Sequence, residues 1–581
     1  MVTAGLHPGF LLFIVACAAA LTSGRLRQIV MLAGTALTCY SVWQLSPEAS
    51  WTFAVPEHTL NLLHVDRLSH VFGLIFSLTA GIGCLYALHA QHGGEHAAAL
   101  VYAGAALGVV FAGDLITLFV FWELMAVASL FVIWYGGTAR AQAAGQRYLL
   151  VHIFGGSVLL CGILLLRAEG ADLTVRALTE TDHQHSLAFW LILIGVAINA
   201  AIPPLHAWLT DAYPEASTSG SVFLSAFTTK TAVYVLIRLF PGAPILLWAG
   251  VIMTLYGVVY AVLSDDFRTL LAYHIVSQVG YMVAGVGMGS DLALNGAVAH
   301  AFCHILYKAL LFMGAGALIH ATGRRKLDDL GRLARAMPAT LFLYMIGAVS
   351  ISGFPLFNGF ISKSMIISAA AKGHVPVAEF FLIMASIGTF LSIGLKLPYF
   401  AFFGPNRGIQ PKPVRLNMLL AMTAGALCCT ALGIYPEWLY HRLPYNATYH
   451  PYTVDHVVDA LQLQLGTTLA FWWLIPRLHG EPAINLDTDW IYRRPLRQVF
   501  NHIILFARQS GSKLEQARLH MLDVINPYLQ NPFLPSLRLG FHTQRLSSNT
   551  PYNADTHRLP LGATILWVLI FFALTVFYLL L

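Results

Sequence analysis

The nine residues His300-Ala301-Phe302-Cys303-His304-Ile305-Leu306-Tyr307-Lys308 decide how this chain is read. They lie inside an apolar run from Ala293 to His320. On a helix, His300, His304 and Lys308 fall at i, i+4 and i+8, stacked on one face with about 6 Å of rise per step. Each ionisable group at membrane depth costs roughly 2.5–3.5 kcal/mol on insertion scales, so such groups are read as functional by default. Histidine titrates near neutrality and can both accept and donate, which gives this row the physical form of a proton relay. Two histidines with no third ligand in the pattern do not make a zinc site, and no metal is expected.

Composition agrees with a membrane setting. Of 581 residues, 57% are hydrophobic and only 10% charged, against about 25% charged in soluble proteins. So little charge cannot coat a globular surface of this size. The formal net charge of +6 then reads as basic loops, not as a nucleic-acid surface. The seven cysteines, Cys17, Cys39, Cys84, Cys161, Cys303, Cys428 and Cys429, all lie in apolar runs and form no C-x-x-C pair, so no cluster or disulfide framework is implied. The sequence has neither a G-x-G-x-x-G after a strand nor a P-loop. No nicotinamide, ATP or other cofactor is expected on this chain.

A crossing needs about 20 apolar residues, which yields an all-α polytopic membrane protein of 14–16 transmembrane helices. The first apolar run, Pro8 to Leu21, is followed almost at once by Gln28 to Leu45 and reads as a span, not a cleaved signal. Two spans are interrupted, one at Pro203-Pro204 and one at Gly353-Phe354-Pro355. Paired broken helices point to two inverted five-helix repeats with a site near the midplane. With the N-terminus outside, Arg25, Arg27, Arg140, Arg324, Arg325, Lys326, Arg407 and Lys412 fall on inside loops, as the positive-inside rule asks. A bacterial inner membrane with a periplasmic N-terminus is expected. The chain divides into N-terminal helices (1–95), a translocating core (96–404), additional helices (405–476), an amphipathic, basic segment at the cytoplasmic face (477–560) and a last span (561–581). Pro495 to Ile525 mixes apolar and charged residues at helical spacing, a pattern that fits either an interfacial helix or a simple linker to the last span.

Further charges sit inside spans. Glu123 lies about 14 Å into its helix, near the middle of a core about 30 Å thick. Lys230 is also mid-span, within Phe227-Thr228-Thr229-Lys230-Thr231. Lys363 follows the second break and suits the aqueous end of a relay. Lys396 fits either the pathway or a side chain reaching to the interface.

Four motifs resemble the antiporter-like subunits shared by respiratory complex I and the Mrp-type sodium/proton antiporters. Phe121-Trp122-Glu123-Leu124-Met125 is similar to F-W-E-L-M. His206-Ala207-Trp208-Leu209-Thr210-Asp211-Ala212 resembles H-x-W-L-P-D-A, with threonine for proline. His304 to Phe312 resembles H-A-x-x-K-A-x-L-F, and Gly353 to Lys363 resembles G-x-P-x-x-x-G-F-x-x-K. The match covers about residues 60–410, and Thr228 to Arg238 looks closest to the Mrp D-type subunit. The resemblance implies two linked half-channels whose proton pathway runs through Glu123, Lys230, His300, His304, Lys308 and Lys363. The family places a lysine nine residues before the motif tryptophan, where this chain has Asn199. Arg147 or His152 are candidates to replace that lysine as the partner of Glu123, and His206 and Lys396 are further candidates for the pathway.

The expected function is proton translocation as one subunit of a multi-subunit Mrp-type cation/proton antiporter, with other membrane subunits, the lipid bilayer, protons and sodium ions as partners and no nucleic acid. One alternative is a membrane-arm subunit of a complex-I-like NADH:quinone or hydrogenase-type oxidoreductase, in which other chains carry the redox chemistry. Another is a membrane scaffold for a soluble partner, for instance in inorganic-carbon uptake.

Overall fold

The computed structural model describes residues 6–55, 58–181, 184–475, 486–530 and 561–580. One local rule recurs at the helix starts, a short polar side chain capping the first free amides ahead of an apolar run. Asp66, Asp114, Thr138, Ser186, Ser217, Asp266 and Ser290 all do this.

The chain opens with α1 (Pro8–Leu21), α2 (Gly24–Gln44) and α3 (Arg67–Ala87). Between α2 and α3 lies an antiparallel hairpin, β1 (Ser50–Val55) and β2 (His58–His64). Apart from this hairpin the described residues are helical and irregular, so the fold is the expected all-α one. The hairpin is a short stretch outside the spans, where a loop can take up strand pairing that no span needs.

Two sets of five crossings follow. The first is α4 (Gly93–Phe111), α5 (Leu115–Trp134), α6 (Ala139–Ala168), the broken pair α7 (Leu187–Asn199) and α8 (Ala207–Ala212), and the pair α9 (Thr218–Ala226) and α10 (Thr228–Leu239). The second is α11 (Pro244–Leu263), α12 (Phe267–Met288), α13 (Asp291–Thr322), the broken pair α14 (Pro338–Ile351) and α15 (Asn358–Lys372), and α16 (Pro376–Thr389), which continues in wider π-type turns over 390–396 and 399–403. The fourth crossing of each set is the broken one, at the two proline-containing sites, where proline cannot continue the helical ladder. Five crossings are an odd number, so the second set starts from the opposite face and is inverted.

The fifth crossings are irregular too. At Phe227 the cause is Tyr102, whose hydroxyl takes the Thr228 amide at 2.9 Å and meets the Thr228 hydroxyl at 2.6 Å. A foreign group inserted into the ladder interrupts it without any proline.

Loop contacts fix the two faces. Arg325 pairs with Asp266 and with Glu215, which brings the loops after α8, α11 and α13 together on one basic face. Arg238 pairs with Asp66 at 2.5 Å, which brings the end of α10 and the start of α3 together on the other.

Then come α17 (Leu416–Ile434), the short α18 (Glu437–Tyr440) and α19 (Val454–Leu474). Ten helices among the described residues are long and apolar enough to cross a membrane by length and composition, with three shorter apolar ones, Pro8–Leu21, Leu187–Asn199 and Pro338–Ile351. Three further helices, α2, α19 and the last one, Leu561–Leu580, are in neither group. Spans α12 and α13 and the α9–α10 pair are enclosed by protein on nearly every side.

A second compact unit runs from Trp490 to Leu581. After the short α20 (Asp489–Arg493) it carries α21 (Pro495–Gln530) and α22 (Leu561–Leu580). The 36-residue α21 exposes Ile503, Ile504, Phe506 and Leu514 amid Arg497, Arg508 and Lys513, the mixed spacing read from the sequence. Residues 477–485 and 531–560 of the expected amphipathic segment lie outside the described residues.

Candidate functional site

The α13 row is buried at the centre of the bundle, with His300, His304 and Lys308 each 0% exposed. His300 Nδ1 lies 2.9 Å from the Ser362 hydroxyl, and its Nε2 lies 3.4 Å from the Tyr307 hydroxyl. The His300 and His304 rings are 6.3 Å apart between centroids, and His304 meets Tyr307 edge-on at 5.2 Å. Among the described residues, neither nitrogen of His304, nor Nζ of Lys308, has a hydrogen-bond partner. Buried polar atoms in proteins are nearly always satisfied by protein or ordered water.

Two lysines flank the row, each just past an interruption. Lys230 Nζ donates to the Ser225 carbonyl at 2.5 Å, across the break at Phe227. Lys363 Nζ donates to the Ile351 carbonyl at 2.7 Å, across the break between α14 and α15, and sits 5.2 Å from the Tyr281 ring centre. A broken helix frees carbonyls that a buried ammonium can use. The charge of Lys230 reaches His300, His304 and Lys308, and the charges of Lys308 and Lys363 both reach His274. These groups form one electrostatically connected row.

Lys363 also lines a cavity of about 370 Å³ between α15, α16 and α19, with Ser352, Ser368, Ser386, Asp459 and Gln464 among its walls. At about 30 Å³ per water it has room for on the order of ten waters.

Glu123 on α5 is half-buried against α6. A Cβ on Gly156 would collide with its Oε1, so the missing side chain of Gly156 makes the space the carboxylate occupies. Among the described residues, that Oε1 has no hydrogen-bond partner. One turn earlier on α6, His152 faces Asn199, without a described hydrogen bond on either side chain, and packs on Tyr148 and Trp208 at 4.0 and 4.6 Å. Arg147 is engaged elsewhere, with Nε 2.6 Å and Nη2 2.9 Å from the Asp211 carboxylate. That bidentate pair removes Arg147 as the partner of Glu123. Lys396 donates to the carbonyls of Val262 and Ser264 at 2.6 and 3.1 Å, capping the end of α11 at the basic face. His206 is fully buried beyond the first break, with Nε2 3.3 Å from the Asp487 carboxylate.

Several residues of the site went unnoticed in the sequence. His274 lies on α12, the second crossing of its set, as Glu123 on α5 is of the first. It bonds the Ser392 hydroxyl at 2.6 Å through Nε2 while Nδ1 has no partner among the described residues. Gln278, one turn on, joins Tyr307 and Thr389, each at 3.3 Å. The rule that exposed the α13 row, an ionisable side chain inside an apolar run, applies equally to His274. Asp487 gave no such signal, since nothing in its local sequence ties it to His206.

Residues 112–392 match the family described as NADH:quinone oxidoreductase/Mrp antiporter, transmembrane. An uncharacterized protein of Methanocaldococcus jannaschii is 31% identical over 353 residues, covering 57% of this chain and 72% of that one. The A1 subunit of the Na(+)/H(+) antiporter of Staphylococcus haemolyticus is 31% identical over 493 residues, covering 76% of this chain. The chain spans 61% of that relative's length. Among solved structures, a chain of the membrane-bound sulfane sulfur reductase, an archaeal respiratory membrane complex, superposes with a TM-score of 0.70 at 23% identity, over 92% of this chain and 97% of that one. This chain belongs to the family of antiporter-like membrane subunits shared by NADH:quinone oxidoreductase and the Mrp antiporters. The Staphylococcus relative carries an A-type name, so the D-type likeness rests on Thr228 to Arg238 alone.

Proposed function

We propose that this chain carries protons across the membrane as one subunit of a multi-subunit cation/proton antiporter of the Mrp type. The observation that carries the reading is the buried row from Lys230 through Lys308, His304 and His300 to Lys363, with unsatisfied nitrogens in its middle and a cavity at its Lys363 end. Charged groups kept inside a membrane protein need water, a partner or a task. Here protonation of one member raises the cost of protonating the next, so a proton moves along the row by displacement. Moving one proton across 100 mV is worth about 2.3 kcal/mol, and a two-unit change in a lysine's affinity for its proton about 2.7 kcal/mol. The two scales are matched, so charge switching between neighbours can couple to a gradient. The relatives named as Na(+)/H(+) antiporter subunits favour sodium as the coupled ion and further membrane subunits as partners, in the bacterial inner membrane with the basic loops inside.

A second reading is a membrane arm driven by redox chemistry on other chains, favoured by the likeness to a chain of a respiratory membrane complex. In both, Glu123 and the Asn199–His152 pair belong to the first half-channel. Purification of the intact assembly separates them. Co-purifying small membrane proteins support the antiporter, and cluster-binding subunits support the redox arm.

A further inference from the structure

Asp487 comes from the chain segment after α19, 281 positions beyond His206, yet its side chain is only 6% exposed. Its carboxylate accepts from His206 Nε2 at 3.2 Å, from the Tyr256 hydroxyl, from the Tyr273 hydroxyl at 2.5 Å and from the Thr488 amide at 2.5 Å. The carbonyl just before it, of Leu486, accepts from the Tyr260 hydroxyl at 2.8 Å. Tyr256, Tyr260 and Tyr273 stack in a ladder with centroids 4.5 and 5.3 Å apart. The polar groups facing the pair are therefore these tyrosines on α11 and α12 and Thr210 on α8, with Asp489 acting on Tyr273. Burial alone pushes the Asp487 carboxyl up, but the hydrogen bonds from His206 and the tyrosines outweigh it and hold it well below the usual range. It is a carboxylate at neutral pH.

A carboxylate only accepts, so the His206 nitrogen facing it, Nε2, carries the hydrogen. Nδ1 is then the basic nitrogen, and it is buried with no hydrogen-bond partner among the described residues. Asn199 ends α7 and His206 precedes α8 on the other side of the first break, and Trp208, two residues on, packs against His152 at 4.6 Å. We propose that Asp487 and His206 form a carboxylate–imidazole pair at the basic-face end of the first half-channel, in which Asp487 positions His206 as a proton carrier. The inference rests on the proton-translocation reading above. A proton from water adds to Nδ1, giving an imidazolium whose Nε2–H stays on Asp487. The same proton then leaves Nδ1 for the next acceptor, and no other reactant is needed. Asp487 acts through His206 and is a positioning residue. It also ties the pathway to the segment that follows α19.

The test is proton flux by the full assembly in membrane vesicles, followed as a function of pH on the basic-loop side. Without the carboxylate no charge faces the Nε2–H of His206. In Asp487→Asn the half-maximal pH is expected to fall by about one unit, about a tenfold loss of flux on the alkaline limb. His206→Asn is expected to be at least as impaired, and the double variant no worse than His206→Asn, because the two act as one unit. The pair Tyr256→Phe and Tyr273→Phe, which keeps the rings, covers the case in which Asp487→Asn fails to accumulate. Withdrawing those donors makes the carboxylate a stronger partner for His206, so the half-maximal pH is expected to rise. A wild-type profile in Asp487→Asn, losses that multiply in the double variant, or an unchanged or lowered midpoint in the tyrosine variant would overturn the inference. If Lys230→Ala has lost flux while Asp487→Asn behaves as wild type, only this inference falls. If Lys230→Ala keeps wild-type flux, the proton-translocation reading itself falls.

Discussion

The Nζ of Lys230 lies 2.5 Å from the carbonyl oxygen of Ser225. The relation recurs in the second set of crossings, where Lys363 meets the Ile351 carbonyl at 2.7 Å. In both, an interruption frees a carbonyl and a lysine just past it supplies the donor. The carbonyl end of a helix carries partial negative charge, so each break offers a buried ammonium donor a partner.

Gly156 makes the room that the Glu123 carboxylate fills. The clash in Gly156→Ala is with the far end of a flexible side chain, so the helix is expected to survive and the carboxylate to move. Flux is expected to fall about as far as in Glu123→Gln, several-fold or more, with normal insertion. Gly156→Ala placed in the Glu123→Gln background is expected to add little. A further multiplicative loss there would show that Gly156 acts on packing and not on Glu123.

His152 and Gly156 are one turn apart on α6, so Asn199 and Glu123 approach the same stretch of that helix. Asn199→Lys therefore returns an ammonium to a neighbourhood holding an unsatisfied carboxylate oxygen. Flux in vesicles is expected to stay within about twofold of wild type, since a new ion pair offsets the cost of burying the lysine. A well-expressed but inactive variant would mean that the pocket around Tyr148, His152 and Trp208 no longer admits the lysine.

On the face away from the basic loops, Asp66 caps α3 and clasps Arg238 through both oxygens, at 2.5 and 2.6 Å. Burial raises the Asp66 carboxyl, but the Arg238 hydrogen bonds and charge outweigh it and bring it down to about 2. The folded value is below the unfolded one of about 3.9, so the contribution is complete above that value and is lost as pH falls through about 2. Asp66→Asn is expected to cost about 2 kcal/mol in thermal unfolding at pH 7, less than a fully buried pair would, because the Asp66 side chain is 35% exposed. The gap from wild type is expected to be constant from pH 9 to 5. A gap that closes near pH 6 would mean that another group controls this contact.

Much of the bundle was legible in the sequence because a bilayer leaves a chain few options. Runs of about 20 apolar residues, two proline breaks and basic loops were enough to place the crossings. The α13 row was legible because its spacing repeats with the helix. The break at Phe227 was not, since its cause is the hydroxyl of Tyr102, 126 residues away. Lys396 stood open between two uses, and only the position of the α11 terminus shows that it caps Val262 and Ser264. Arg147 was a reasonable partner for Glu123 by order along the chain, but Asp211 is the carboxylate it reaches. The β1–β2 hairpin went unread because a short extramembrane loop carries too few residues for its alternation to stand out. Each miss depends on which element comes to lie beside which, and periodicity along one helix does not contain that.

Proton flux in vesicles carrying the full assembly with Lys230→Ala, followed with a pH-sensitive dye, tests the proton row most directly. Lys230 is fully buried and its charge reaches His300, His304 and Lys308. The expected result is flux reduced to the level of vesicles lacking the protein, at unchanged insertion and assembly. Flux equal to wild type in that variant would contradict the pathway.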